Sequence, residues 1–227
     1  MTYDFKTYRA GGFYSWVFEL ENNGRISVVM TRENREKAFA EIDTYPTDRD
    51  AQKYVYCVIV GQNIARASAA QIEKAKQFLF ELTNLKSYVP ALTFKGQCYE
   101  QGIFFDKSPD IAFGIFMDAH RKGDARATLH VSRFYASGSC IPANEGKSLA
   151  YMRESAAAGY TAALALEGFS RRKGINGYPR DPELGKKMIL DAAWAGNKQA
   201  MILAADAETE DGNLKLAAFW KSRLEQY

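Results

Sequence analysis

The residues in this 227-residue sequence that could do chemistry are few and scattered. The three cysteines Cys57, Cys98 and Cys140 form no CxxC pair, and a catalytic cysteine would need a histidine partner. The candidate partners are His120 and His130, which belong to no HExxH motif and have no paired cysteines beside them. The sequence therefore predicts no metal, no cofactor and no enzymatic nucleophile. Both histidines are expected to be exposed or hydrogen-bonded side chains.

One segment, Asn144-Glu145-Gly146-Lys147-Ser148, imitates the end of a phosphate-binding P-loop. The full motif needs a glycine five residues before Gly146, but that position is Ile141, and no buried strand precedes the segment. We expect instead that Asn144 caps a helix, and we expect no nucleotide binding.

Net charge, apolar content and cysteine usage limit the kinds of partner and the compartment that are expected for this protein. Lysine plus arginine is 30 and aspartate plus glutamate is 27, so the net charge of +3 predicts neither nucleic-acid nor membrane-surface binding. The most apolar window, residues 54–60, is far shorter than the roughly 18 residues that a membrane span needs. The N-terminus has no secretory apolar segment, and the unpaired cysteines suit a reducing compartment, so we expect a cytoplasmic protein.

The elements that must position these residues recur with a period of 36 or 37 residues. In each unit the pattern predicts a helix A, such as 91–101, a glycine-ended turn and a helix B, such as 110–122. The recurring glycines suit the left-handed conformation that ends a helix, and Ser108, Asn144 and Asp181 suit the N-cap of helix B. The single extra residue of the third unit falls between Gly174 and Asp181, in a loop. The glycine and alanine columns are Gly102, Gly138 and Gly174; Gly123, Gly159 and Gly196; and Ala91, Ala127, Ala163 and Ala200.

Small and apolar residues predict how the helices pack. Each column alanine is followed five residues later by a small residue, which allows helices to approach closely. Apolar residues at helical spacing give each helix B a buried stripe that a neighbouring unit must cover. The small residues are Gly96, Ser132, Gly168 and Ala205; the first stripe is predicted at Ile111, Ile115, Phe116 and Ala119.

These columns resemble the SEL-one-like repeat (SLR) family, a relative of the tetratricopeptide repeats. The first unit fits the family pattern best. Ser132 replaces a glycine in the second unit, Arg171 replaces a tyrosine in the third, and Ala200 begins a fourth. The matching residues are Ala91, Gly96, Tyr99, Gly102, Ala112, Ala119 and Gly123; Ala127, Tyr135, Gly138 and Gly159; and Ala163, Gly168, Gly174, Ala192 and Gly196.

The predicted fold is mainly all-α, a right-handed solenoid of helix-turn-helix repeats. Repeats are expected at 88–124, 125–160, 161–197 and 198–227, with a degenerate helical hairpin at 47–87. Residues 1–46 are expected to form an N-terminal cap, and the sequence does not decide between two folds for it. Alternation around Phe18 and Val28 favours a β-hairpin, but a short helix fits as well.

The resemblance implies a non-catalytic protein that binds a protein partner through the concave face lined by helix A. The implied partner-binding residues are Gln97, Gln101, His130, Arg133, Arg172 and Lys173. The basic residues of the third unit, Arg172 and Lys173 among them, are expected to be solvated and partly offset by Glu208, Glu210 and Asp211.

Among bacterial relatives, the resemblance suggests a cytoplasmic immunity protein that neutralises a secreted toxin, for example one delivered by a type VI secretion system. The short length and the expected lack of an export signal suit that role. They suit a signalling or assembly adaptor almost as well. A further alternative is a hydrolase, since β-lactam hydrolysis has been credited to some relatives.

Overall fold

The computed structural model describes residues 18–19, 28–29 and 32–225. Its contacts divide the described residues into two compact units, those up to Ala143 and those from Asn144 onwards, which we call the N-terminal and C-terminal units. Almost every described residue outside the turns is helical, and the mainly α-helical repeat fold predicted from the sequence is confirmed.

The N-terminal unit begins with a minimal antiparallel pair of two-residue strands, in which Phe18 lies opposite Val29. The residues that would form the turn of the predicted hairpin lie outside the described residues, so the fold of residues 1–46 stays a prediction. The elements of this unit are β1 (Phe18–Glu19), β2 (Val28–Val29), α1 (Arg32–Ala40), a 3-10 turn (Ile42–Thr44), α2 (Asp50–Gln62), α3 (Ala69–Phe80), a π-helical turn (Glu81–Leu85), α4 (Val89–Gln101), α5 (Pro109–Arg121) and α6 (Ala125–Ser137).

The C-terminal unit is built from five helices within its described part. They are α7 (Glu145–Ala157), α8 (Thr161–Lys173), α9 (Pro182–Trp194), α10 (Lys198–Glu210) and α11 (Leu214–Glu225).

The helices recur with the period of the predicted repeat. Helices α4, α6, α8 and α10, the A helices, start at positions 89, 125, 161 and 198, and each has 13 residues. Gly102, Gly138 and Gly174 end the first three of them with φ of +79°, +65° and +69°. A side chain in that left-handed region would be strained, so the predicted glycine stops have a physical basis.

Capping side chains mark the starts of several helices, but Ser108, at the predicted N-cap position of α5, accepts no capping hydrogen bond through its side chain. Asn144 Oδ1 accepts a hydrogen bond from Lys147 N at 2.9 Å, and Asp181 Oδ1 accepts one from Leu184 N at 3.0 Å. The P-loop-like segment is therefore a helix N-terminus, as predicted. Asp124 and Asn197 cap A helices in the same way, which the sequence reading missed. The extra residue lies in the predicted loop, where Asn176 and Gly177 both have positive φ.

Two segments, residues 54–60 and helix α5, test the predictions of local structure. Residues 54–60, whose composition also suits a strand, belong to α2 and are buried all round, as expected of a helix in the middle of a core. The predicted stripe of α5 is wrong at Ile111, which is 49% exposed. The buried residues are Ala112, Phe116 and Ala119, because the stripe begins one position, or about 100° of helix, later.

The two units fill their cores differently. Large side chains such as Tyr54, Tyr56 and Phe94 form the N-terminal core. Alanines surround Ile189, Met201 and Trp220 in the C-terminal core. There α8 and α9 meet backbone to backbone: a Cβ at Gly168 would lie 2.7 Å from Gly185 O. The predicted close approach at this small residue is confirmed.

Candidate protein-binding surface

Helices α4 and α6 of the N-terminal unit present a cluster of polar side chains centred on His130. The imidazole Nε2 lies 3.0 Å from Gln97 Nε2, and Nδ1 lies 3.1 Å from Glu100 Oε2. The ring stacks on Phe116 with a centroid distance of 4.3 Å. His130 is therefore a buried link between consecutive A helices, in contact with Gln97 and Glu100. Gln101 and Arg133 are exposed positions on the same two helices, and we call Gln97, Glu100, Gln101 and Arg133 the A-helix patch.

Burial and charge set the protonation of this cluster. Burial lowers the pKa of His130, and the nearby Glu100 offsets this only in part. Burial alone would raise the pKa of Glu100, but His130, Arg133 and Lys107 outweigh it and hold that pKa below its usual value. At neutral pH the imidazole is therefore neutral and the carboxylate charged. The carboxylate favours a proton on Nδ1, which leaves Nε2 to accept a hydrogen bond from the Gln97 amide.

In the C-terminal unit the corresponding contact between A helices is ionic. Arg172 Nη2 donates to Asp211 Oδ1 at 2.6 Å and to Ala207 O at 3.3 Å, and also pairs with Glu210. Lys173 Nζ pairs with Glu210 at 2.7 Å. Lys186 Nζ lies 2.9 Å from Glu208 and 2.8 Å from Asp211. Three cations and three carboxylates thus neutralise one another, an offset that the sequence reading expected only in part.

The structure separates the six sequence-predicted partner residues into two groups. Gln101, Arg133 and Lys173 are exposed, and Gln97 is half-buried. His130 and Arg172 are only 6% and 8% exposed, so the expectation that they lie on an open face is wrong for these two. The side chain of His130 instead contacts the preceding A helix, α4, and that of Arg172 contacts the end of the next A helix, α10. Glu100, which completes the patch, was not singled out from the sequence.

The other groups that could do chemistry are held in structural roles. Burial raises the pKa of Cys98 to about 12 and that of Cys57 further still, so these thiols stay protonated. His120 Nδ1 lies 3.0 Å from the hydroxyl of Thr128, which is itself buried. Among the described residues, no group of three or more histidines, cysteines or carboxylates could hold a metal ion. Within the same residues, no helix has the length and apolarity to span a bilayer.

Comparisons with known proteins give matches of structure alone. No family model matches the sequence, and no curated protein matches it. A Sel1 repeat protein from Oxalobacter formigenes superimposes with a TM-score of 0.56 at 19% identity, over 85% of this chain and 78% of that one.

A protective antigen present in uropathogenic Escherichia coli strains, which displays an SLR fold, superimposes with a TM-score of 0.55 at 16% identity. The match covers 84% of this chain and 40% of that protein. Identities this low establish the architecture and not the activity. Together with the repeat frame, they show that this chain has the SEL-one-like repeat fold.

Proposed function

We propose that this protein is a non-catalytic protein-binding module whose partner docks on the A-helix patch. The observation that carries the proposal is the patch itself. Arg133 and Gln101 are exposed beside a Glu100 that is held ionised, and all three stand on helices whose mutual position is fixed through buried His130. Because these side chains stand on helices, partner binding orders side-chain rotamers but need not order any backbone, which keeps the entropic cost of binding down.

The size and chemistry of the surface suit a protein partner. A standard interface buries about 800 Å² on each side, more than the patch alone supplies, so we expect neighbouring exposed A-helix positions to take part. Lys173 of the C-terminal unit stands at the same repeat position as Gln101 and is also exposed. Mixed charges at such positions give register and selectivity more than raw affinity.

Within this class we propose a bacterial cytoplasmic immunity protein that neutralises a cognate secreted toxin; the alternative is a signalling or assembly adaptor. An immunity protein needs a preformed surface and no turnover, and the fixed geometry around His130 fits that need. For the hydrolase alternative, the buried thiols of Cys57 and Cys98 offer no nucleophile, because burial keeps them protonated. Co-expression with toxins encoded beside this gene separates the two roles: an immunity protein restores growth, and an adaptor does not.

The docking surface is tested by charge reversal. We expect Arg133→Glu to weaken binding to the co-purified native partner by about tenfold or more, because it presents a negative charge to the partner where the native surface presents a positive one. Arg121→Glu, an equal reversal at an exposed position of α5, is the matched control and should bind like wild type. Lys173→Glu, made as a separate variant, tests the corresponding position of the C-terminal unit by itself. Unchanged affinity of Arg133→Glu, with an unchanged melting temperature, would refute the A-helix patch as the binding surface.

A further inference from the structure

The C-terminal unit contains a cleft that the A-helix patch does not use. It is a wide-mouthed surface cleft between α7, α8, the loop that precedes α9 and α9 itself, with a volume of about 570 Å³. Its polar lining is Arg153, Glu167, Arg171 and Tyr178, and its apolar lining includes Leu164 and Met188.

The two arginines of the cleft are in different electrostatic situations. Arg171 is neutralised by Glu167, with Nη2 and Nε at 2.8 Å and 2.9 Å from the same carboxylate oxygen. Arg153 has no carboxylate within ion-pair distance in the described part of the chain. It donates one hydrogen bond, from Nη2 to Gly177 O at 3.3 Å. The cleft therefore carries one uncompensated positive charge, on a side chain that is exposed to solvent.

Tyr178 holds Arg153 in position. The guanidinium carbon of Arg153 lies 4.6 Å from the centroid of the Tyr178 ring, and that of Arg171 lies 4.8 Å from it. Stacking on an aromatic ring orients the planar guanidinium and leaves its edge donors available. Tyr178 is 6% exposed, and its hydroxyl has no hydrogen-bond acceptor among the described residues. A fixed cation and a buried donor without an acceptor thus stand at one cleft.

We propose that this cleft binds a carboxylate group carried on an apolar body, and that its natural source is an acidic side chain flanked by apolar residues in a protein partner. One carboxylate would balance the net charge of the cleft. The guanidinium fork of Arg153 matches its two oxygens, and Leu164 and Met188 would cover the apolar part. Only the choice of source rests on the proposed function; the binding chemistry does not.

A peptide titration followed by NMR chemical shifts tests the cleft directly on the full chain. The probe is acetyl-Leu-Glu-Leu-amide, compared with acetyl-Leu-Gln-Leu-amide and with free glutarate. We expect the glutamate peptide to shift the signals of Arg153 and Tyr178 and to bind about tenfold more tightly than its glutamine counterpart.

Variants of Arg153 then assign the binding to one side chain. Arg153→Gln should lose about tenfold in affinity, and Arg153→Lys should recover only part of it, because lysine keeps the charge but lacks the fork. Lys187→Gln, which removes the same charge from an exposed position of α9, should bind like wild type. Melting temperatures of all variants show whether each one is folded.

Each outcome decides the matter. Glutarate binding as tightly as the glutamate peptide, and equally dependent on Arg153, would support the carboxylate site and reassign its source to a small molecule. Equal binding of the two peptides, no binding of either, or no loss in folded Arg153→Gln would overturn the proposal. This experiment uses no partner protein. Its result can therefore support the carboxylate site when the A-helix patch has been refuted, or refute the site when the patch has been supported.

Discussion

The contact between α4 and α6 and the contact between α8 and α10 are built on the same repeat position with opposite chemistry. Glu100 and Arg172 occupy that position two repeats apart. Glu100 lies 3.1 Å from the neutral ring of His130, whereas Arg172 pairs at 2.6 Å with Asp211. The frame therefore determines which residue faces the next A helix, and leaves open whether that residue is an acid or a base.

A second pair of equivalent positions, Gly96 and Gly168, also shares its place in the repeat but makes different contacts. Gly96 of α4 accommodates the ring of Phe116 from α5, whereas Gly168 of α8 accommodates the backbone of Gly185 from α9. A ring is a side chain that can shift, and a backbone cannot shift without moving its helix. The N-terminal unit should therefore tolerate added volume better than the C-terminal unit does.

The largest effect is expected at the contact between the two glycines. A Cβ at Gly185 would lie 2.5 Å from Gly168 O and 2.6 Å from Arg172 N, so Gly185→Ala must push α8 and α9 apart. We expect a loss of about 3 kcal/mol in the free energy of unfolding, measured by urea denaturation. Gly96→Ala meets ring atoms of Phe116 at 2.7 Å and should cost about 1 kcal/mol.

Gly114→Ala is the matched control for both substitutions. Nothing lies within 4 Å of a Cβ at this position in α5, so only the backbone entropy changes. We expect stabilisation by about 0.5 to 1 kcal/mol. If Gly96→Ala proved as damaging as Gly185→Ala, the distinction between ring and backbone contacts would be wrong.

A smaller effect is expected from Arg172→Met, which keeps an unbranched apolar stem but leaves Asp211 and Glu210 without their buried cation. We expect a loss of about 2 kcal/mol, less than for a fully buried pair because both carboxylates are partly exposed and Lys186 and Lys173 remain.

Urea denaturation measures this loss against Arg180→Met, which removes an exposed arginine from the neighbouring loop. The control should stay within about 0.5 kcal/mol of wild type. Equal stability of the two variants would show that the ionic contact contributes nothing.

The repeat frame could be predicted because its signals are local. A glycine with positive φ or an N-cap asparagine acts on its own helix end, and Gly138 and Asn144 needed no knowledge of the neighbouring helices. The burial of His130 could not be predicted in that way, because it depends on Phe116 of another helix. Arg172 finds its carboxylate 39 residues along the chain, and no pattern in the sequence pairs the two.

The smallest predicted effect is a pH dependence of the free energy of unfolding. It should come from the α4–α6 contact and not from the α8–α10 contact. Burial lowers the pKa of His130 in the folded protein, whereas a histidine in an unfolded chain titrates at about 6.5. As the pH falls, the unfolded chain therefore takes up the proton first. Stability is therefore complete above that value and declines below it, by at most about 1.4 kcal/mol per pH unit, until the pH passes the folded pKa.

The carboxylates stay out of this pH window. The pKa of Glu100 is held below its usual value, and Lys186 and Arg172 do the same for Asp211. The ionic contact between α8 and α10 should therefore stay intact between about pH 7.5 and about pH 5.5, where the contact at His130 weakens.

Urea denaturation across that range should show a pH slope in wild type that His130→Gln removes and His120→Gln keeps. An identical slope in wild type and His130→Gln would mean that the buried imidazole does not control the pH response. The α4–α6 contact would then differ from its ionic counterpart in composition alone.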